Sequence, residues 1–311
     1  MSANSMAAVS GKAYLLFSGL TPANADFEVA GGSLTNAPLD YIHRRDNETE
    51  IYFVANQQAT ALRTDCLFRV KGKTPELWDP VTGTIRALPV YQATQDGRTK
   101  VSLVFEPLQS FFVVFRNQKS EVGSQKSENF PGLKPVMDMT GPWDVTFDPA
   151  WFYPDNGTGG KITFNDLSDW TARSEPAIKY YSGLATYQKS FDLPQVSSFK
   201  FPVSNLFLSL GDVKEMARVR LNGRDLGVVW CPPWNVKIPD GTLKEKGNRL
   251  EIEVVNFWPN RLIGDAALPL EQRRTKTNIT KFYEPKGDKH YTTLMPSGLL
   301  GPVIIQKAVV E

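Results

Sequence analysis

A single run in the last third of the chain, Leu221-Asn-Gly-Arg-Asp-Leu-Gly-Val-Val-Trp-Cys-Pro-Pro-Trp-Asn235, constrains the fold more than any other stretch. Asn222-Gly223 lies between apolar alternations. A type I′ hairpin turn needs positive φ at both central positions, and Asn and Gly supply it with least strain. The pattern predicts one strand ending at Leu221 and a second from about Leu226 to Trp230. Pro232 and Pro233 then end ladder pairing, because proline has no N–H to donate. Trp230 and Trp234 are thereby expected at the mouth of a strand, on stiff backbone. Such indoles suit stacking on a sugar or packing against a neighbouring domain.

The length of 311 residues allows about two domains of roughly 100–200 residues each. From Tyr14 to Arg116, short β-like runs follow one another between turn signals. Tyr41-Ile-His43 and Ile51–Asn56 flank a polar turn, and Cys66–Val70 alternates with period two. Glu76–Arg86 reads as a hairpin on Asp79-Pro-Val-Thr-Gly83, and Lys100–Phe105 and Ser110–Phe115 complete the set. Strands at this spacing without intervening helices indicate an antiparallel sandwich over 14–116. Residues 117–136 open with a polar, Ser- and Lys-rich segment that has too little apolar surface to fold alone, and they are expected as a linker. A second β domain is expected over 137–311. In it Leu250, Ile252 and Val254 should face inward while Arg249, Glu251 and Glu253 face out. Residues 1–13 are expected to be disordered or extraneous. The fold class is therefore all-β: two antiparallel β-sandwiches, the second a jelly roll.

Composition narrows the function classes. A net charge of +2 with interspersed signs carries no footprint for nucleic acid or an anionic membrane. No apolar run approaches the roughly 18 residues of a membrane-spanning helix. Met1–Val9 lacks the basic start and long apolar core of a signal peptide and reads as a fragment edge. Cys66 and Cys231 fall in different expected domains, so both are read as buried thiols without a disulfide. His43 and His290 sit in no metal-ligand spacing.

Several motifs together resemble a known family. Tyr181-Ser-Gly-Leu-Ala-Thr-Tyr187, Leu210-Gly-Asp-Val213 with the Asn222-Gly223 hairpin, and Gly247–Glu253 are similar to the galactose-binding-like jelly roll of glycoside hydrolase family 2 enzymes. Gly227–Trp234, Asn256-Phe-Trp-Pro-Asn-Arg-Leu-Ile-Gly-Asp265 and Leu294–Pro302 resemble the tail of the large bacterial α-L-rhamnosidases of glycoside hydrolase family 106. Tyr41–Arg45, Ile51–Asn56 and Glu76–Gly83 resemble the sandwich that precedes that tail. The resemblance covers roughly residues 14–310. It implies a periplasmic or extracellular setting, a carbohydrate partner such as an oligosaccharide or plant polysaccharide, and a catalytic barrel in the same chain or supplied in trans. In that family the catalytic carboxylates and a calcium site lie in the barrel. This chain shows no alternating β/α pattern, so no catalytic residue carries over.

The residues themselves nominate a carbohydrate-contact set of Trp230, Trp234, Asn235, Asn256, Trp258, Arg261 and Trp151. Aromatic faces meet sugar C–H groups, and Asn and Arg read hydroxyls through directional bonds. Against this stands packing for the indoles, and for Arg261 an ion pair with Asp265 that fixes an irregular loop. Trp143 is expected in the core. Trp151-Phe-Tyr-Pro154, before a Gly-rich loop, is expected to be exposed. Asp155-Asn-Gly-Thr-Gly-Gly160 has oxygens suited to structural calcium but no EF-hand spacing, and it reads as a turn. No cofactor is implied. Asp144, Asp148, Asp155, Asp265 and Glu284 lie near aromatic or loop segments, yet no spacing singles out a catalytic pair. Three functions remain: a non-catalytic carbohydrate-binding part of a glycoside hydrolase, a stand-alone hydrolase with a carboxylate pair on a sandwich, and a purely structural module.

Overall fold

The computed structural model describes residues 25–30, 38–117, 128–153, 158–194, 204–277 and 293–309. The expected N-terminal tail, Asp155 to Gly157, Glu284 and His290 lie outside the described residues. The chain divides into two compact units, Met1–Gly132 and Leu133–Val309.

Among the described residues of the first unit, nine strands form two antiparallel sheets. They are β1 (Phe27–Val29), β2 (Leu39–Asp46), β3 (Thr49–Asn56), β4 (Leu62–Phe68), β5 (Thr74–Trp78), β6 (Ile85–Ala87), β7 (Tyr91–Ala93), β8 (Thr99–Phe105) and β9 (Ser110–Arg116). One sheet runs β1-β4-β8-β7, the other β2-β3-β9-β5-β6. Period-two alternation sends Tyr52, Val54, Cys66, Phe68, Val101, Leu103, Phe105, Phe111, Val113 and Phe115 into the core between them. The β2–β3 turn is tighter than expected. Asn47 at φ 51 carries it alone with Glu48, because asparagine tolerates the left-handed region. The β5–β6 hairpin forms on Asp79–Gly83, with the Asp79 carboxylate accepting from the Val81 and Thr82 N–H groups.

Of the expected linker, residues 128–136 take part in folded structure. Asn129 is buried and its side chain bonds both the N–H and the carbonyl of Val90. The chain then enters β10 (Gly132–Asp138), an edge strand, which is where a sheet tolerates a proline such as Pro135.

The second unit is also a sandwich. Its further strands are β11 (Trp143–Phe147), β12 (Lys161–Phe164), β13 (Leu184–Phe191), β14 (Leu206–Ser209), β15 (Asp212–Lys214), β16 (Met216–Leu221), β17 (Arg224–Val229), β18 (Asn235–Ile238), β19 (Asn248–Val255), β20 (Gly298–Gly301) and β21 (Ile304–Val309). A six-stranded sheet, β12-β11-β13-β19-β16-β17, packs with a four-stranded sheet, β10-β21-β14-β18, and β15 pairs with β20. Non-sequential neighbours such as β13–β19 and β14–β21 are the crossings that a jelly roll requires. The inward residues of β19 are Leu250, Ile252 and Val254, and Arg249, Glu251 and Glu253 face out. The Asn222-Gly223 turn has φ of 54 and 81 at its two positions, as a type I′ turn needs. The Asn222 amide also donates to the Thr242 carbonyl and to Asn248 Oδ1, tying the turn to the start of β19.

Trp143, Phe147, Phe164, Trp170, Tyr181 and Tyr187 fill the core around edge-to-face contacts. Their polar tips are satisfied: Trp170 Nε1 donates to the Tyr187 hydroxyl at 2.6 Å, and the Tyr181 hydroxyl donates to the Leu184 carbonyl at 2.7 Å. Gly298 has no room for a side chain, since a Cβ there would stand 2.4 Å from Trp170 Nε1. Among the described residues two short α-helices interrupt the β pattern, α1 (Pro176–Lys179) and α2 (Pro259–Ala266).

Candidate functional site

The segment Asn256–Asp265, expected as an irregular loop, is mostly helix. Pro259 occupies the first turn of α2, where its missing N–H costs no bond. Arg261 and Asp265 then fall on one face at i and i+4. Gly264 lets the helix press onto Tyr180, whose Cβ lies 2.6 Å from where a Gly264 Cβ would sit.

This helix rests on a polar frame that is almost wholly shut off from water. The Asn256 amide donates to the Tyr181 carbonyl and to Ser297 Oγ, each at 2.9 Å, and its oxygen accepts from Gly183 N–H. Asn260 donates to the Met295 carbonyl and to Ser297 Oγ and accepts from Met295 N–H. Ser182 Oγ donates to the Phe257 carbonyl and accepts from Arg261 N–H. Arg261, 2% exposed, sets Nη2 at 2.8 Å from Oδ1 of the fully buried Asp265. That contact is an ion pair without hydrogen-bond alignment. Arg261 Nε and Asp265 Oδ1 have no hydrogen-bond partner among the described residues. The other Asp265 oxygen accepts from Arg274 N–H and from the Thr275 N–H and hydroxyl. Asn256 and Arg261, nominated as hydroxyl readers, are therefore committed to holding the frame.

Aromatic surface faces the solvent above this frame. Trp230 is 55% exposed, Phe257 54% and Trp258 49%. Trp151 is half-buried rather than exposed. Its ring packs against the core and meets Trp258 edge-on at 4.9 Å, while Phe152 beside it is buried. Trp230 and Trp234 belong to different layers. Trp230 follows β17 on the six-stranded sheet, and Trp234 precedes β18 on the four-stranded one, so the Trp230–Trp234 segment bridges the sheets at this end. Trp234 packs on the core and its carbonyl accepts from Leu210 N–H, and Asn235 pairs with Ser209 in the ladder. The structure thus brings Trp151, Asn256, Trp258 and Arg261 together and seats Trp234 and Asn235 in the opposite layer. Sequence reasoning passed over Phe257, Ser182 and Ser297. Phe257 and Ser297 lie within the singled-out Asn256–Asp265 and Leu294–Pro302 motifs, and their positions there were the available signal.

Six carboxyl groups among the described residues are clearly shifted, and all six downward. A hydrogen bond from Arg218 holds Asp225 below its ordinary range. Burial works against ionisation of Glu251 and of Glu50. Bonds from Gln188 and Arg220 outweigh it at Glu251, and bonds from His43 and Lys73 outweigh it at Glu50. Hydrogen bonds from Ser102, Thr94 and Arg173 lower Asp65, Asp96 and Glu175. Among the described residues no group of three or more His, Cys, Asp or Glu side chains is gathered to hold a metal ion. Cys66 is buried, and burial raises its thiol; Cys231, expected to be buried, is partly exposed on the bridging segment, and neither forms a disulfide.

The chain is similar to known glycoside hydrolases in sequence and in fold. A family model described as alpha-L-rhamnosidase matches residues 16–93. A solved rhamnosidase from Novosphingobium sp. PP1Y is 34% identical and superposes with a TM-score of 0.74 over 90% of this chain and 25% of its own. A Formosa agariphila protein named "Putative beta-glucuronidase" is 36% identical over 213 residues, which is 63% of this chain and 17% of that protein. The chain is thus related to glycoside hydrolases and resembles their accessory domains, spanning about a quarter or less of the length of these relatives.

Proposed function

We propose that this chain is a non-catalytic, carbohydrate-binding accessory region of a rhamnosidase-type glycoside hydrolase that acts in the periplasm or outside the cell. Its second sandwich is the galactose-binding-like module, and sugar rings stack on Trp258 and Trp230 at the open end of that sandwich. The observation that carries this reading is the match of 90% of the chain to one quarter of a solved rhamnosidase. Because Asn256 and Arg261 turn inward, the exposed indoles are the contacts this reading names. Stacking without free polar readers gives weak binding, with Kd on the order of 1 mM.

An aryl-glycoside screen of the purified chain, α-L-rhamnoside included, tests the first half. No turnover is expected. Turnover abolished by a single Asp or Glu substitution would overturn the assignment. Titration with rhamnose-containing oligosaccharides tests the second half: binding should vanish in Trp258→Ala, and silence of the unaltered chain across the panel would leave only a scaffold role.

A further inference from the structure

The segment from Trp151 to Tyr153 touches α2 at its start, its middle and its end. Trp151 meets Trp258, the residue before the helix, edge-on at 4.9 Å. The Tyr153 carbonyl accepts from Nη1 of Arg261. The Tyr153 ring lies under the guanidinium of Arg274, whose Cζ is 4.5 Å from the ring centroid. Arg274 is anchored through its backbone, because its N–H donates to the buried carboxylate of Asp265 in the last turn of the helix. The eight residues of α2, at about 1.5 Å each, set its two ends roughly 12 Å apart. The indoles at one end and the guanidinium at the other therefore suit an oligosaccharide rather than a single sugar ring.

The charge along this strip has a direction. Arg274 is exposed, and among the described residues its side chain makes no hydrogen bond or ion pair. The carbonyls at the helix end are met instead by Arg273, which donates to those of Leu268 and Ala266. A second cation, Lys179, lies over the Tyr180 ring at 5.8 Å, and Tyr180 is the residue pressed against Gly264 in the same last turn. At the opposite end stands a carboxylate, Asp148, exposed in the turn that carries Trp151. The strip is thus cationic toward Arg274 and anionic toward Trp151. Stacking on Tyr153 fixes the plane of the guanidinium and leaves its edge donors free, the arrangement that meets an oxyanion with two parallel bonds.

We propose that the carbohydrate bound here is anionic, with a carboxylate or sulfate ester of the sugar seated on Arg274 while another ring of the same chain stacks on Trp258. The proposal rests on the carbohydrate reading and adds the charge of the ligand to it. A neutral sugar meets the aromatic faces, and a charged one gains a charge-assisted pair at the far end of the strip.

Titration of the full chain with a uronate-bearing rhamnose oligosaccharide and its carboxyl-reduced counterpart tests this, alongside a sulfated oligosaccharide and its desulfated form. In at least one pair the anionic member should bind about tenfold more tightly than the neutral one, and the pair that shows it tells carboxylate from sulfate. The advantage should shrink in about 1 M salt, where exposed charges are screened. Arg274→Gln should remove the advantage and leave the neutral sugar's affinity unchanged, and it keeps the backbone N–H that bonds Asp265, so the fold is retained. Arg249→Gln, at an exposed arginine on the outer face of β19, should change nothing. Trp258→Ala should abolish binding of both members. Equal affinities within both pairs, an advantage that survives Arg274→Gln, or one that Arg249→Gln removes as well, overturns the proposal while the carbohydrate reading stands. Silence of every sugar, charged or neutral, is the failure of the carbohydrate reading itself, and the proposal falls with it.

Discussion

Two charge clusters, one in each sandwich, are held in opposite ways. In the first, His43 lies between Asp26 and Glu50, 2.9 Å from each, and its ring stacks on Tyr52 at 4.0 Å. Glu50 also meets Lys73 and Arg45, and Asp26 meets Arg69. The cluster is partly open to water and each carboxylate has more than one cationic or imidazole partner. In the second, Arg261 and Asp265 are sealed on the inner face of α2 with one another as sole ionic partner among the described residues, and neutral amides and hydroxyls complete the frame. Water and redundancy buffer the first arrangement. The second has neither, so removing one member leaves the other charged and dry.

The sharpest way to break this contrast is Asp265→Ala. It strands the Arg261 guanidinium, and a loss of about 3–5 kcal/mol in the stability of the second unit is expected in urea unfolding. Replacing both residues by apolar ones of similar volume should recover most of that loss, because a buried ion pair contributes little over good packing. An equal loss from single and double variants would show that the pair shapes the helix rather than merely balancing charge. Next in size, Asn256→Ala leaves the Gly183 N–H and the Tyr181 carbonyl unpaired, at about 1–3 kcal/mol.

The first sandwich should respond less. Glu50→Gln should cost about 1 kcal/mol or below, since solvent and neighbouring groups compensate. Its pH dependence has a definite sign. The folded-state pKa of Glu50 lies below the ordinary 4.5. Its stabilisation is therefore complete above that value and fades as pH falls through the lower folded-state value. Acid titration of unfolding free energy should show this slope in the unaltered chain and a shallower one in Glu50→Gln. The smallest stability change, within about 0.5–1 kcal/mol, is expected for Trp258→Ala, whose ring is half in water already. Its effect should appear in sugar titrations instead. A large stability loss would mean that the ring serves mainly to cover Trp151.

Much of the architecture was legible in local pattern. Alternation along Leu250–Val254 and the Asn222-Gly223 turn depend on side chains a few residues apart, and such periodicities survive in a linear reading. The α2 helix was harder. Eight residues give little more than two turns of periodicity, and its start signal is Pro259 after an indole rather than a Ser or Asp cap. Asn129 illustrates another limit. It sits in a polar stretch, yet its amide completes bonds to Val90, thirty-nine residues away in the chain. Of the candidate site, the aromatic membership could be read, but not which polar neighbours were free.

The sequence by itself determined two all-β sandwiches, the hairpin that delivers Trp230, and the kinship with glycoside hydrolases, because turn chemistry and strand period are local properties of the chain. Only the tertiary structure decided that Asn256, Asn260 and Arg261 turn inward, and that Leu184, Val255, Met216 and Trp230 line up as one exposed apolar row on the six-stranded sheet. The row depends on the register between strands distant in sequence, where a one-residue slip would turn its strand residues to the other face, and the inward side chains depend on how α2 packs on Tyr180 and on bonds to Ser182 and Ser297.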